Sequence, residues 1–133
     1  MRNLMTLTAV AVLAMLPAST VARQKMTDAE KLEKALAGRV AGKPQSCVSL
    51  RDLHGTERLG DTIIYRTITR RVIYRMDTRG GCDSNSSDAL ITRTFGDRLC
   101  RGDIIRTADL FSGFESGSCT AAEFVPYSLP AKK

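Results

Sequence analysis

From Ser46 onward apolar and polar residues alternate along the chain, and the alternation predicts strands. In CVSLRDL (47–53), Val48 and Leu50 alternate with Ser49 and Arg51, the period of two expected where one face of a strand is buried. TIIYRTI (62–68) and RVIYRM (71–76) are β-branched and aromatic, and only Thr69-Arg70 lies between them, which predicts a hairpin. Its turn type stays open, because neither Asn-Gly nor Asp-Gly is present. ALITRTF (89–95), DIIRTADL (103–110) and EFVPY (123–127) supply further strands, with RGGCDSNSSD, GDRLCRG and SGFESGSC as the loops between them. Earlier in the chain the period is helical. Leu32, Ala35 and Leu36 share one face, and Thr27-Asp28-Ala29-Glu30 forms a capping box. Gly38 and Gly42 weaken the pattern and Pro44 ends it, so a helix is expected over 28–38. The fold class that follows is mainly β: a small antiparallel sheet or partly open barrel of five or six strands, preceded by one short N-terminal helix.

The first residues form a different pattern. Arg2 precedes an apolar stretch from Leu4 to Leu16, and Thr20-Val21-Ala22 offers small residues for cleavage. This predicts a secretory signal peptide over 1–22, removed after Ala22, and a periplasmic or secreted mature chain. The apolar stretch is too short to span a bilayer. The expected organisation is then a short helix and linker over 23–45, a β-domain over 46–127 and a basic tail over 128–133.

A mature chain of this size supports only a thin core. The four cysteines, Cys47, Cys82, Cys100 and Cys119, all lie in it, and an even number in a small exported protein predicts two disulfides. Three pairings are possible. The nested one is expected, Cys82 with Cys100 and Cys47 with Cys119, because it ties a middle loop to a neighbouring strand end and the first strand to the last. A metal site is not expected, since no C-x-x-C pair occurs and His54 is the one histidine. No cofactor is expected either.

Arg101-Gly102-Asp103 follows Leu99-Cys100 and runs straight into Ile104-Ile105. A turn entering a strand is expected there rather than an adhesion loop, with Gly102 supplying the backbone freedom and Asp103 bonding nearby backbone. Asp83, Asn85 and Ser87 match the start of a calcium loop, but Asp88 and Thr94 stand where glycine and glutamate are needed. Asn85-Ser86-Ser87 is a glycosylation acceptor sequence. GFESG (113–117) misses the nucleophile-elbow spacing by one place. His54 sits in LHGT, read as a turn. Acids such as Asp61, Asp77, Asp97 and Asp103 are plentiful, and their spacing selects no pair.

Arginine is the stronger chemical signal. Fourteen of the twenty basic residues are Arg, nine of them from Arg66 to Arg106. Arg66, Arg75, Arg93 and Arg106 fall inside expected strands, at positions pointing away from the core, so together they would make a positive face suited to phosphate or carboxylate. The competing expectation is a solvated sheet face whose arginines pair with the fourteen acids. Residues 23–133 carry 19 basic against 14 acidic side chains, and only Tyr65 and Tyr74 stand beside the arginines, a poor match to single-stranded nucleic-acid binding.

The succession CVSLRDL, DTIIYR, VIYRM, GGC, RLCRGDII and CTAAEFVPY resembles a family of small exported proteins of Gram-negative bacteria defined only as a domain of unknown function. The likeness covers about residues 46–127 and rests on the four cysteines with Leu99, Cys100, Gly102 and Asp103. Members often have proline after the second cysteine, where this chain has Asp83. The resemblance implies a periplasmic, disulfide-bonded β-fold and no catalytic residues. The expected function is a non-enzymatic module that binds or supports an envelope protein or an anionic envelope component. Two alternatives stand beside it: an anion-binding module using the arginine face, and an enzyme with an unrecognised carboxylate site. Intracellular nucleic acid is not an expected partner, and the sequence leaves the oligomeric state open.

Overall fold

The computed structural model describes residues 25–82 and 87–131; the expected signal peptide and most of the loop after Cys82 lie outside them. The elements in chain order are α1 (Asp28–Leu36), β1 (Val40–Ala41), β2 (Cys47–Ser49), a 3-10 turn (Leu50–Asp52), β3 (Leu53–Leu59), β4 (Thr62–Thr67), β5 (Val72–Gly80), β6 (Ala89–Thr92), β7 (Arg98–Cys100), β8 (Ile104–Ala108) and β9 (Glu115–Ser128). The fold is mainly β, as expected: an antiparallel half-barrel in the order β3-β4-β5-β9-β8-β6. β2 and β7 form a separate antiparallel ribbon.

The capping box at the start of α1 is present. The Thr27 backbone N–H donates to Glu30 Oε2 at 2.6 Å, and the Glu30 backbone N–H donates to Thr27 Oγ1 at 3.3 Å. The helix stops at Leu36, short of the expected 38, because Gly38 takes a left-handed φ of 71°. Residues 39–45, read from the sequence as a linker, run beside β9. Val40 pairs with Ser128, and Gln45 and Phe124 exchange backbone hydrogen bonds of 2.8 and 2.9 Å. Arg39 also bonds the β4–β5 turn, donating to the carbonyls of Arg70 and Arg71 at 3.1 and 2.9 Å.

β9 organises the sheet. Along one side it pairs with β5, and along the other with β8 and then β1. Between Met76↔Phe124 and Thr78↔Ala121 it carries one residue more than β5, a bulge at Ala122-Glu123. The bulge shifts the alternation, so Phe124, Ala121 and Cys119 all reach the same buried cluster.

Both faces of the sheet are covered near β4, whose residues are buried except at Arg66. One face packs Ile63, Tyr65, Met76, Phe124 and Ile105 against Val48 and Leu99 of the β2–β7 ribbon. The other packs Leu59, Ile64 and Ile73 against Leu32 and Leu36 of α1 and against Tyr127. The unbroken run Ile63-Ile64-Tyr65 is the sequence mark of such two-sided burial.

Both disulfides form, but the nested pairing is not the one observed. Cys47 bonds Cys100, and Cys82 bonds Cys119. The reason lies in the ribbon. β2 and β7 pair in a register that sets Cys47 directly opposite Cys100, with Cα atoms 4.0 Å apart. Cys82 follows the end of β5, where Gly80 faces Cys119. The first bond closes the ribbon onto itself, and the second ties the end of β5 to β9.

Four local expectations are corrected. CVSLRDL is not one strand, because the 3-10 turn at Leu50–Asp52 redirects the chain between β2 and β3. LHGT is not a turn but the start of β3, held by pairing with β4. GDRLCRG contains β7, and SGFESGSC contains the first residues of β9, recruited by β8.

Candidate functional site

Arg101-Gly102-Asp103 is the turn expected of it, between β7 and β8. Gly102 has a φ of 94°, and the Cys100 backbone N–H donates to Asp103 Oδ2 at 2.7 Å. The Gly102 N–H donates to the Ala121 carbonyl at 2.9 Å, and the Ala121 N–H to the Asp103 carbonyl at 3.0 Å. The Arg101 guanidinium is held by Glu123 at 3.1 Å. Every part of the tripeptide thus has an internal partner beside the Cys47–Cys100 bond.

The alternation of the strands places Arg66, Arg75 and Arg106 on the face opposite the larger buried cluster, as expected. They do not form one free positive surface. Arg66 bonds Glu57 at 2.5 Å, Arg75 bonds Asp77 at 3.0 and 3.2 Å, and Arg106 bonds Glu115 at 2.6 Å. The Asp77 carboxylate also holds the proton on the Arg75 guanidinium more firmly. Surface pairs of this kind contribute about 0–1 kcal/mol each to stability, yet each places a negative charge beside a group that an anion would have to reach. Helix α1 shares the face with Arg66, and a shallow depression there is lined by Lys31, Lys34, Glu57 and Arg66. Arg93 lies just beyond β6, exposed, with no carboxylate in ion-pair reach among the described residues.

The acids singled out in the sequence are dispersed. Asp77 accepts from Thr62 Oγ1 at 2.8 Å and from Arg75, Asp97 pairs with Arg51 at 3.4 Å, and Asp103 braces its turn. Asp61 contributes its backbone carbonyl, which accepts from Thr78 N and Oγ1 at 2.7 and 2.9 Å. Ser116, the serine of GFESG, donates to Asp88 and lies 3.0 Å from Thr107 Oγ1. A carboxylate alone is a weak base for a serine hydroxyl. His54, on β3, lines a different depression with Arg39, Arg66, Arg70 and Ile73. Among the described residues no three His, Cys, Asp or Glu side chains gather as a metal site would require.

The feature that sequence reading missed is the tip of the β8–β9 hairpin, residues 109–114. Asp109 braces it: its Oδ1 accepts from the Phe111 and Ser112 backbone N–H groups at 2.9 and 2.7 Å. The Asp109 N–H donates to the Phe114 carbonyl at 3.0 Å and the Gly113 N–H to the Asp109 carbonyl at 2.9 Å. Bonds from Ser112, then Phe111, hold the Asp109 carboxyl below its usual range. On this ordered frame Leu110, Phe111 and Phe114 stand 70%, 99% and 77% exposed. The signal was available in Asp-Leu-Phe-Ser-Gly-Phe, where turn formers at Asp109, Ser112 and Gly113 interleave with three large apolar residues.

No family model, curated protein or solved structure matches the chain.

Proposed function

We propose that the chain is a non-catalytic docking module of the periplasm or the secreted space, which engages another envelope component through exposed apolar side chains on a disulfide-bonded frame. The observation that carries this reading is the braced hairpin tip. A loose loop could fold its apolar residues inward, whereas this one spends an aspartate and two backbone hydrogen bonds on holding Leu110, Phe111 and Phe114 outward. Exposed aromatic anchors on a rigid element are what binding surfaces are built from, because little conformational entropy remains to be lost on contact. The two disulfides support an oxidising address, as does the leader expected before residue 23. Among the described residues no helix is long and apolar enough to cross a membrane.

The test is photo-cross-linking of the full chain, exported by its own leader, with a benzophenone side chain at position 111. The expected result is one discrete cross-linked product that disappears when Leu110 and Phe114 are both replaced by Ser. A chain that is exported and oxidised yet gives no such product would overturn the reading.

A further inference from the structure

One of the two edge strands of the sheet, β6, offers a second surface. β6 pairs with β8 on one side, and no described strand pairs with its other side. The outward N–H and C=O groups of such an edge are a template for a further strand, and proteins usually blunt it with charge or proline. Here the edge reads Ala-Leu-Ile-Thr, between Asp88, which is buried and bonded to Ser116, and the exposed Arg93.

Two side-chain features adjoin this edge. Ile91, Ile104 and Phe95 are all solvent-exposed, Phe95 fully, and with Arg93 and Arg106 they line a depression of about 300 Å³. Ile91 faces Arg106 across the β6–β8 pair, so the floor of the depression is continuous with the edge strand. Asp103 also lines it, but its carboxylate is committed to the Cys100 N–H, and Arg106 is committed to Glu115. Of the two arginines lining the depression, Arg93 is the one with no carboxylate in ion-pair reach among the described residues.

We propose that β6 receives an extended peptide segment of a partner protein by strand addition, and that the segment carries an apolar residue and an Asp or Glu two positions apart. Backbone pairing with the edge supplies sequence-independent binding, and side chains on alternate positions supply selectivity. On the face shared with Ile91, the apolar residue covers Ile91, Ile104 and Phe95 while the carboxylate meets Arg93. The charge identifies the occupant. A second copy brings Arg93 no free carboxylate, because the Asp88 that flanks its edge is buried and bonded to Ser116, whereas an acidic strand complements Arg93. The inference rests on the docking reading but uses a surface separate from the hairpin tip.

The test uses the oxidised full chain and a blocked fluorescent heptapeptide, Thr-Ile-Ser-Glu-Thr-Ile-Ser, titrated to about 1 mM, with the backbone amides followed by NMR. Saturable binding is expected, with shifts concentrated at Ala89–Thr92. The counterpart with Lys for Glu should bind about tenfold more weakly, and Arg93→Glu should reverse that order. Replacing the Thr that follows Glu in the peptide by Pro should abolish binding. Equal affinity for the Glu and Lys peptides, or shifts away from β6, would overturn the proposal. So would concentration-dependent dimerisation through β6 in sedimentation velocity. If the cross-link from position 111 persists while the peptide does not bind, strand addition fails and the docking reading stands.

Discussion

At Tyr65 burial and polarity conflict. The residue is 3% exposed, its ring meets Phe124 edge-on at 5.8 Å, and its hydroxyl has no hydrogen-bond partner among the described residues. Burial pushes the phenol well above the usual tyrosine range. The folded pKa is raised above an unfolded value of about 10, so this contribution to stability is complete below that pH and is lost as pH rises towards the folded value. Tyr65→Phe keeps the ring contact and removes the orphan hydroxyl. It is expected to leave stability unchanged or raise it by up to about 1 kcal/mol at neutral pH, and to flatten the alkaline decline; urea unfolding at about pH 7 and pH 11 measures both. A loss above about 1 kcal/mol at neutral pH would mean that the hydroxyl is bonded after all. Arg58 poses a similar problem, since both terminal nitrogens of its guanidinium are buried without partners among the described residues. Neither residue is marked in the sequence as unusual, because a missing partner is a property of the packed interior. Thr27, Gly102 and Asp103 were legible because their partners lie within a few positions.

Legibility of the elements follows the same division between local and distant causes. α1, β4, β5, β6 and β8 were readable because capping, β-branched residues and alternation are written into each segment. β3 and β7 were missed because LHGTERL and RLC have little apolar periodicity, and neighbours recruit them: β4 for the first, β2 for the second. β9 runs to 14 residues for the same reason, its first part held by β8. That first part includes a close approach. A Cβ at Gly117 would stand 2.2 Å from the Gly81 carbonyl oxygen and 3.0 Å from Thr107 Oγ1. Backbone cannot yield as a flexible side chain would, so Gly117→Ala is expected to destabilise the fold by about 1–3 kcal/mol. Gly55→Ala is the comparison, because a Cβ there meets nothing within 4 Å. Thermal melts of the two variants should separate clearly, and equal midpoints would show that β9 lies farther from the β5 end.

For the molecule as a whole, the expected β class, the preceding helix and the two disulfides were legible, and the pairing of the cysteines was not. Loop lengths and strand order in the sequence cannot reveal that β2 and β7 leave the main sheet to form a ribbon over one of its faces. Once they do, Cys47 has Cys100 opposite it, and Cys119 is left to meet Cys82 beyond β5. The arginines changed meaning for a comparable reason. Their outward direction followed from alternation, but their partners Glu57, Asp77 and Glu115 are set by the folded chain. Each disulfide closes a long loop, with sequence separations of 53 and 37, and on the chain-entropy view each stabilises the fold by at most about 4 kcal/mol. A small domain with a thin core depends on contributions of that size. Proteolysis of the unreduced, thiol-blocked protein followed by mass spectrometry of the linked peptides is the decisive measurement. The fold requires Cys47 joined to Cys100 and Cys82 joined to Cys119; recovery of Cys82 joined to Cys100, or of free thiols at these positions, would contradict it.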